Sequence, residues 1–427
     1  MQFQSVCVLG LGYIGLPTAS TFAKSGLNVT GVDVDQQVLD TLKDGKIHIH
    51  EPGLQDLVQE ALDSGNLSLS DQPAEADAFV IAVPTPVTED NKADLRHVID
   101  AAEAIVPFLR KGNLVMLEST CPPRTTIDQV VPILERSGLR AGSDFLLAYT
   151  PERALPGRIL KELVENVRVI GGIDKASAEA GKDLYRSFVE GEILLTDATT
   201  AEMVKLMENT YRDINIAVAN EFAQMAERLG VDVWEAIRLA NEHPRVEILQ
   251  PGPGVGGHCI AVDPWFLVEA TPDLAPLIQQ AMAVNDGQPM HSANLIEQAL
   301  GGLNGRRIAA LGLSYKPNVG DLRESPALEI VSILVERGAE VHTFEPYDQA
   351  ASVEGARADS SLEAALQEAD AVVLLVNHRE FVEFDPHQGA KQMPGRVAVD
   401  LRGVWDAASW REAGFDIYTL GVGTTHD

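Results

Sequence analysis

The chain has 427 residues, with 63 Asp+Glu against 33 Lys+Arg, a formal charge of −30 and a pI near 4.6. That balance argues against nucleic acid, which is bound through basic patches, and against anionic membranes, but leaves room for a small anionic ligand held by local arginines. With 45% hydrophobic residues and ordinary glycine (35) and proline (23) content, the chain can build two or three packed domains and is not disordered, and no apolar run nears the ~18–20 residues of a membrane span.

In chain order, Met1-Gln2-Phe3-Gln4 puts no basic stretch before an apolar run, so no signal peptide is expected. Ser5–Leu9 is a buried-type strand, followed by Gly10-Leu11-Gly12-Tyr13-Ile14-Gly15 and a helical stretch to about Ser25. A second strand, Asn28–Val32, ends at Asp33, 23 residues after Gly10. This is the context of a dinucleotide fingerprint. The glycines allow a tight turn close to a pyrophosphate, and the helix N-terminus turns N–H groups toward it. Asp33 would accept from both ribose hydroxyls and repel a 2′-phosphate. No Lys or Arg adjoins it, so NAD is expected rather than NADP. An ordinary Gly-rich turn is the less favoured reading.

Further strands are expected at Ala78–Val83, Leu114–Leu117, Phe145–Ala148, Val167–Gly171 and Glu192–Leu195, with helices at Leu95–Leu109 and Thr126–Ser137. Alternating strands and helices predict βαβ units and a parallel sheet. Pro84-Thr85-Pro86 and Glu118-Ser119-Thr120 follow strands, at the sheet end where ligands bind, although such residues also form turns.

Thr199–Leu229 contains neither Pro nor Gly and carries Met203, Leu206, Ile214, Val218, Phe222 and Met225 at helical spacing. It predicts one helix on the order of 45 Å long, of the kind that bridges domains or pairs with its copy. Lys205, Asn209 and Arg212 share one face. They either meet an anionic partner or form a solvated face with Glu202 and Glu208. Gly230 ends the helix, and a shorter one is expected at Val233–Asn241.

The Gly/Pro-rich stretch Gln250–Pro264 contains Pro251-Gly252-Pro253-Gly254-Val255-Gly256-Gly257-His258-Cys259. Cys259, in an exposed polar loop with Asp263 four residues on, is a candidate nucleophile; the alternative is an inert buried thiol. Cys7 reads as core, and Cys121 fits either role. Three cysteines make no disulfide framework and fit a reducing cytosol. No ligand spacing for a metal is present. After a helical stretch at Leu274–Leu300, strands at Arg307–Leu311, Glu340–Thr343, Asp370–Val376 and Val397–Asp400, with a helix at Pro326–Arg337, predict a second α/β sheet.

Together these features resemble the UDP-glucose/GDP-mannose dehydrogenase family, from Val6 to about Trp405. The resemblance is carried by G-L-G-Y-I-G-L-P, V-P-T-P, E-S-T, Y-T-P-E-R, the G-G-H-C loop, Gly312-Leu313-Ser314-Tyr315-Lys316-Pro317 and Asp321-Leu322-Arg323-Glu324-Ser325-Pro326. The string Gln250–Phe266, with His258, Trp265 and Val262 rather than Lys before Asp263, is similar to the branch acting on UDP-N-acetyl-D-mannosamine. The UDP-N-acetylglucosamine and UDP-glucose branches are alternatives.

The resemblance implies an α/β fold: two Rossmann-like parallel-sheet domains joined by a long central helix. Residues 1–196 would bind NAD, 197–300 would form a helical dimerisation domain carrying the cysteine loop, and 301–427 would bind the UDP-sugar. It also implies oxidation of the sugar's C6 alcohol to a carboxylate with two NAD⁺. Cys259 would form the thiohemiacetal and thioester. Lys205, Asn209 and Asp263 would stabilise oxyanions and position water, Thr120 would help hold that water, and Glu152 would be the base for hydrolysis.

NAD contacts are implied for Gly10, Gly12, Tyr13, Ile14, Gly15, Asp33, Pro84, Thr85, Thr120, Thr126 and Arg323. Substrate contacts are implied for Arg153, Ala154, Lys205, Asn209, Arg212, His243, Arg245, Gly256, Tyr315, Lys316 and Arg402. His243 and Arg245 would reach a neighbouring subunit, making a homodimer or higher homo-oligomer, located in the cytoplasm and supplying polysaccharide synthesis. Two departures stand out: Arg124 where the family has Gly, and Arg402 where it often has Lys.

Two other classes compete. A two-electron β-hydroxyacid dehydrogenase would need neither Cys259 nor a second α/β domain. A non-catalytic nucleotide-sugar sensor is opposed by intact Cys259, Lys205, Asn209 and Asp263. Lysine is scarce (11 against 22 Arg), and acids run along the whole chain, as suits either a salt-adapted surface or a merely acidic protein.

Overall fold

Eight apolar strands of the N-terminal half assemble into one sheet. They are β1 Ser5–Leu9, β2 Asn28–Val32, β3 Leu67–Ser70, β4 Ala78–Ile81, β5 Leu114–Leu117, β6 Leu146–Tyr149, β7 Arg168–Gly172 and β8 Ile193–Asp197, in the order β3-β2-β1-β4-β5-β6-β7-β8. The computed structural model describes residues 2–49, 51–88, 90–155 and 157–423. The chain divides into two compact units, Met1–Glu208 with Trp265–Pro272, and Asn209–Pro264 with Asp273–Asp427.

The first sheet is buried on both faces, which is why its strands read as continuous apolar runs. Along β1, Val6 and Val8 join one core cluster with Leu16 and Phe22, while Cys7 and Leu9 join another with Phe79 and Phe145. The first helix, Gly15–Lys24, buries Leu16, Ala19, Phe22 and Ala23 against that first face.

All neighbouring strands are parallel except β6 and β7, which pair antiparallel with Tyr149 opposite Gly171. The chain leaves β6 and returns beside the same end after one short helix, Ile159–Glu165, instead of crossing the sheet as a parallel connection must. Continuing that register sets Arg168 opposite Glu152.

In the second unit, β9 Arg307–Leu311, β10 Glu340–Phe344, β11 Arg357–Ala358, β12 Ala371–Leu374, β13 Val397–Asp400 and β14 Asp416–Thr419 form a parallel sheet in the order β11-β10-β9-β12-β13-β14. This is the 3-2-1-4-5-6 order of dinucleotide-binding sheets. The fold is therefore α/β, with two parallel-sheet domains and one long helix, Ala198–Leu229, of 32 residues.

Several elements depart from the sequence expectation. The edge strands β3, β11 and β14 are too short or too polar to stand out as apolar runs. Leu274–Leu300 breaks at Gly287 into Pro276–Asp286 and Gln288–Leu300. A helix begins inside the Gly/Pro-rich stretch, at Asp263–Ala270. Thr126–Ser137 is a π turn, one α turn and a 3₁₀ turn, around Pro132, which has no N–H to give.

The turn before Thr126 shows how the long helix stabilises its surroundings. Arg124 takes φ 78°, in the left-handed region that favours glycine. Its N–H donates to Glu202 Oε2 at 2.6 Å, and the Thr126 N–H and hydroxyl donate to Glu202 Oε1 at 2.7 and 2.6 Å. Burial pushes the Glu202 carboxyl above its usual range, and these donors pull it back. Replacing Glu202→Leu strands three donors and should cost about 3 kcal/mol or more. Arg124→Gly should leave stability within about 1 kcal/mol, because relieved strain offsets the freer unfolded chain. Urea unfolding of both variants checks these values.

Candidate active site

The dinucleotide turn has the geometry its glycines imply. Gly10 takes φ 91°, and a Cβ there would overlap the Ala82 carbonyl; one at Gly15 would overlap the Gly10 carbonyl, whereas Gly12 has no atom within 4 Å. The turn is thus closed against the sheet and open at Gly12. The Gly15–Lys24 helix has no side-chain N-cap, which leaves its N-terminus to an anion. Gly10 N–H donates to Val32 O at 2.8 Å, and Leu11 N–H to Asp33 Oδ2 at 2.9 Å. Asp35 N–H donates to Asp33 Oδ1 at 2.9 Å. Asp33 is half-buried, and each of its oxygens keeps a lone pair for a ribose hydroxyl. These residues fit NAD.

Tyr13 and Ile14 are half-buried at the same turn, and Pro84 is exposed at the end of β4. The Thr85 hydroxyl donates to Thr120 O at 2.6 Å, and the Ser119 hydroxyl to Val83 O at 2.7 Å, so the loops after β4 and β5 are stitched together. Thr120 is half-buried. Thr126 differs from the expectation of a cofactor contact: it is fully buried with its hydroxyl committed to Glu202. Arg323 lies in the other unit, ion-paired with Asp321 at 2.5 Å.

Past β6, Glu152 is nearly buried. Its Oε1 accepts from the Arg153 and Ala154 N–H groups, both at 2.6 Å, and its Oε2 from Arg168 at 3.0 Å. Arg153 pairs with Glu208 at 2.6 Å. Arg168 also reaches Glu118 at 3.3 Å, and the Tyr185 hydroxyl donates to Glu118 at 2.7 Å. Sequence reasoning named Glu152 and Glu118 but missed Arg168 and Tyr185. The available signal was a charged residue heading an otherwise apolar strand.

On the long helix Lys205 and Asn209 are buried, at 8% and 7% exposure, so the solvated-face reading fails for them; Arg212 is exposed. In the second unit Asn209 donates to Asp263 at 2.5 Å. Asp263 starts its helix with its N–H on Cys259 O at 2.8 Å. Cys7 and Cys121 are buried, and Cys259 is exposed, as the loop composition predicts.

The loop is shaped from below. Gly257 takes φ 85°, and a Cβ there would strike the Tyr315 ring. Its N–H donates to Arg323 O at 3.1 Å. Gly256, Tyr315, Lys316 and Arg402 are half-buried. The Arg402 guanidinium lies against Gly252 and donates to Asn377 at 3.3 Å. Gly252 is clamped, with its N–H on Asn220 and its carbonyl on Gln288, both at 2.9 Å. Neither clamp residue was foreseen. His243 and Arg245 are exposed on a loop that Asn241 closes onto Ile248.

Three models of one protein family match successive parts of the chain. Residues 4–189 match the NAD binding domain of the UDP-glucose/GDP-mannose dehydrogenase family, 199–287 its central domain and 309–407 its UDP binding domain. The UDP-N-acetyl-D-mannosamine dehydrogenase of Methanococcus vannielii is 45% identical over 99% of this chain and 98% of its own. The NDP-N-acetyl-D-galactosaminuronic acid dehydrogenase of Ralstonia solanacearum is 47% identical over 95% and 97%. The solved UDP-D-ManNAc dehydrogenase of Pyrococcus horikoshii aligns with a TM-score of 0.92 and 42% identity, over 98% of this chain and 99% of that one. The chain belongs to the UDP-glucose/GDP-mannose dehydrogenase family and is an NAD-dependent nucleotide-sugar dehydrogenase.

Proposed function

We propose that the chain oxidises the C6 alcohol of UDP-N-acetyl-D-mannosamine to the carboxylate, with the sugar held covalently on Cys259 during the second oxidation. The observation that carries this reading is an exposed thiol on a turn whose following residue, Asp263, is fixed by Asn209. The family relatives named for UDP-N-acetyl-D-mannosamine support the substrate. We assign 1–196 to NAD and 301–427 to the UDP-sugar, in line with the NAD binding and UDP binding family matches, and 197–300 to dimerisation and the cysteine loop.

The Gly10–Gly15 turn and Asp33 would hold NAD⁺, which would supply a hydride acceptor at the sugar C6 for each of the two oxidations, one NAD⁺ per oxidation. Cys259 adds to the aldehyde as a nucleophile, and its thiolate leaves when the thioester is hydrolysed. Lys205, Asn209 and Asp263 stabilise oxygen charge at C6, and Thr120 helps to hold the water. Glu152 takes the proton of the hydrolytic water. Tyr315, Lys316 and Arg402 bind the uridine diphosphate, the arginine as a planar two-point donor. Arg153, Ala154, Arg212 and Gly256 complete the substrate contacts. Pro84, Thr85 and Arg323 belong to the NAD contacts, while Thr126, buried on Glu202, shapes the turn behind them.

A homodimer is the minimal active form, because His243 and Arg245 face solvent and serve a neighbouring subunit. The long helix supports this: Met203, Met207, Tyr211, Val218, Phe222, Met225 and Leu229 are exposed at 37–74% along one stripe, an apolar face of the kind oligomers cover. A reaction that uses a reduced Cys259 thiol and a soluble cofactor supports a cytoplasmic location. Among the described residues no helix is long and apolar enough to cross a membrane.

With UDP-N-acetyl-D-mannosamine, two NADH should form per carboxylate. Turnover only with UDP-glucose, UDP-N-acetylglucosamine or UDP-N-acetylgalactosamine would replace the substrate, and one NADH with released aldehyde would remove the thioester. Cys259→Ser should lower acid formation by about 10³-fold or more, read by product chromatography. Phe222→Asp should turn a dimer into monomers in analytical ultracentrifugation, while an unchanged sedimentation coefficient would refute the stripe as the interface.

A further inference from the structure

We propose that Arg168 is a positioning residue that orients Glu152 for thioester hydrolysis, with Glu118 governing how much of the Arg168 charge Glu152 receives. The inference rests on the functional reading above and adds Arg168, together with a role for Glu118, that the family resemblance does not supply.

The geometry is built by the antiparallel turn-back of β7. The register that sets Tyr149 opposite Gly171 carries Arg168 to Glu152, at 3.0 Å. Arg168 has 5% side-chain exposure and Glu118 none. A guanidinium is expensive to bury and stays only where its donors are matched. Here its two terminal nitrogens divide between two carboxyls, Glu152 Oε2 and Glu118 Oε1, the one on Glu118 also reaching the Thr150 hydroxyl at 3.5 Å. The guanidinium stacks over the Tyr185 ring, 4.7 Å from its centroid, so it cannot swing away from Glu152. A small cavity lined by Glu152, Arg153, Asn166 and Arg168 opens beside the pair.

Glu118 is the adjustable member. The groups facing it are Arg168 from β7, Glu152 from the segment after β6, and Tyr185 from the helix Lys175–Tyr185. Burial pushes its carboxyl up to about 7, with Glu152 adding to the rise and Arg168 and Tyr185 opposing it. Its Oε2 is buried without a hydrogen-bond partner. Its raised carboxyl, with one oxygen unpartnered, makes Glu118 the member of the cluster expected to gain or lose a proton near neutral pH. When Glu118 is protonated, Arg168 acts on Glu152 alone; when it is ionised, Arg168 is shared. Hydrolysis then proceeds by addition of water oxygen to the thioester carbon, transfer of its proton to Glu152, and departure of Cys259 as thiolate.

The test compares wild type, Arg168→Lys and Glu118→Gln by stopped-flow with UDP-N-acetyl-D-mannosamine and NAD⁺. For Arg168→Lys we expect an NADH burst still near two per subunit, followed by acid release slowed at least tenfold, with KM for both ligands within twofold. For Glu118→Gln we expect the inflection near pH 7 in acid release to vanish. A lysine variant whose burst and steady state fall together, or neither falls, overturns the inference. So does a glutamine variant that keeps the inflection. Both outcomes are distinct from failure of the functional reading, which wild type alone would reveal by releasing aldehyde after one NADH.

Discussion

Buried polarity on one side of the long helix is the constraint from which both halves of the candidate site follow. Glu202, Lys205, Asn209, Asp213 and Asn220 follow one another at intervals of three, four, four and seven residues and are all buried at 8% exposure or less. Each unsatisfied buried polar group costs about 1–3 kcal/mol, so three of them fix neighbours in place. Glu202 fixes the Arg124–Thr126 turn, Asn209 fixes Asp263, and Asn220 fixes the Gly252 backbone. Asn285 ties Asn220 to Asp213. Burial lifts the Asp213 carboxyl to about 6, with Asn285 opposing and Asp286 adding. The opposite face is apolar and exposed, the reverse of a helix in an isolated globular domain.

The two sheets reuse one turn for different ends. In the first, Asp33 receives one N–H on each oxygen and keeps capacity for a ribose. In the second, Glu345 stands at the matching place after β10 but takes the Leu313 and Ser314 N–H groups on Oε2, the Tyr347 N–H on Oε1 and contact with His378 at 3.1 Å. That carboxylate is satisfied within the protein. The same strand order thus supplies an open acidic ribose site in one sheet and a self-closed turn in the other, consistent with a UDP rather than a second dinucleotide there.

Much of this was legible in sequence where local rules dominate. The strand–glycine turn–helix–strand–Asp33 order sets its own geometry, and β1, β2, β5, β9 and β13 fall where apolar runs end at glycine or polar residues. Cys259 was legible because a glycine-rich loop has little to bury it. The helix periodicity was legible too, but not its sense. Met203, Val218, Phe222 and Met225 have the spacing of a core face and lie outside, while Lys205 and Asn209 look solvated and lie inside; only tertiary partners decide between two stripes of equal period. Arg168 and its pairing with Glu118 escaped notice because their meeting depends on β7 running against β6, and no local signal gives a strand's direction. Thr126 reads as a surface contact until Glu202, 76 residues away in sequence, takes its hydroxyl.

The most direct measurement is intact-mass and peptide analysis of wild-type enzyme acid-quenched during its first turnover with UDP-N-acetyl-D-mannosamine and NAD⁺. A covalent sugar-nucleotide acyl adduct on the peptide carrying Cys259, forming before free carboxylate and decaying as carboxylate rises, is the predicted result. Carboxylate accumulating with Cys259 unmodified throughout would contradict it.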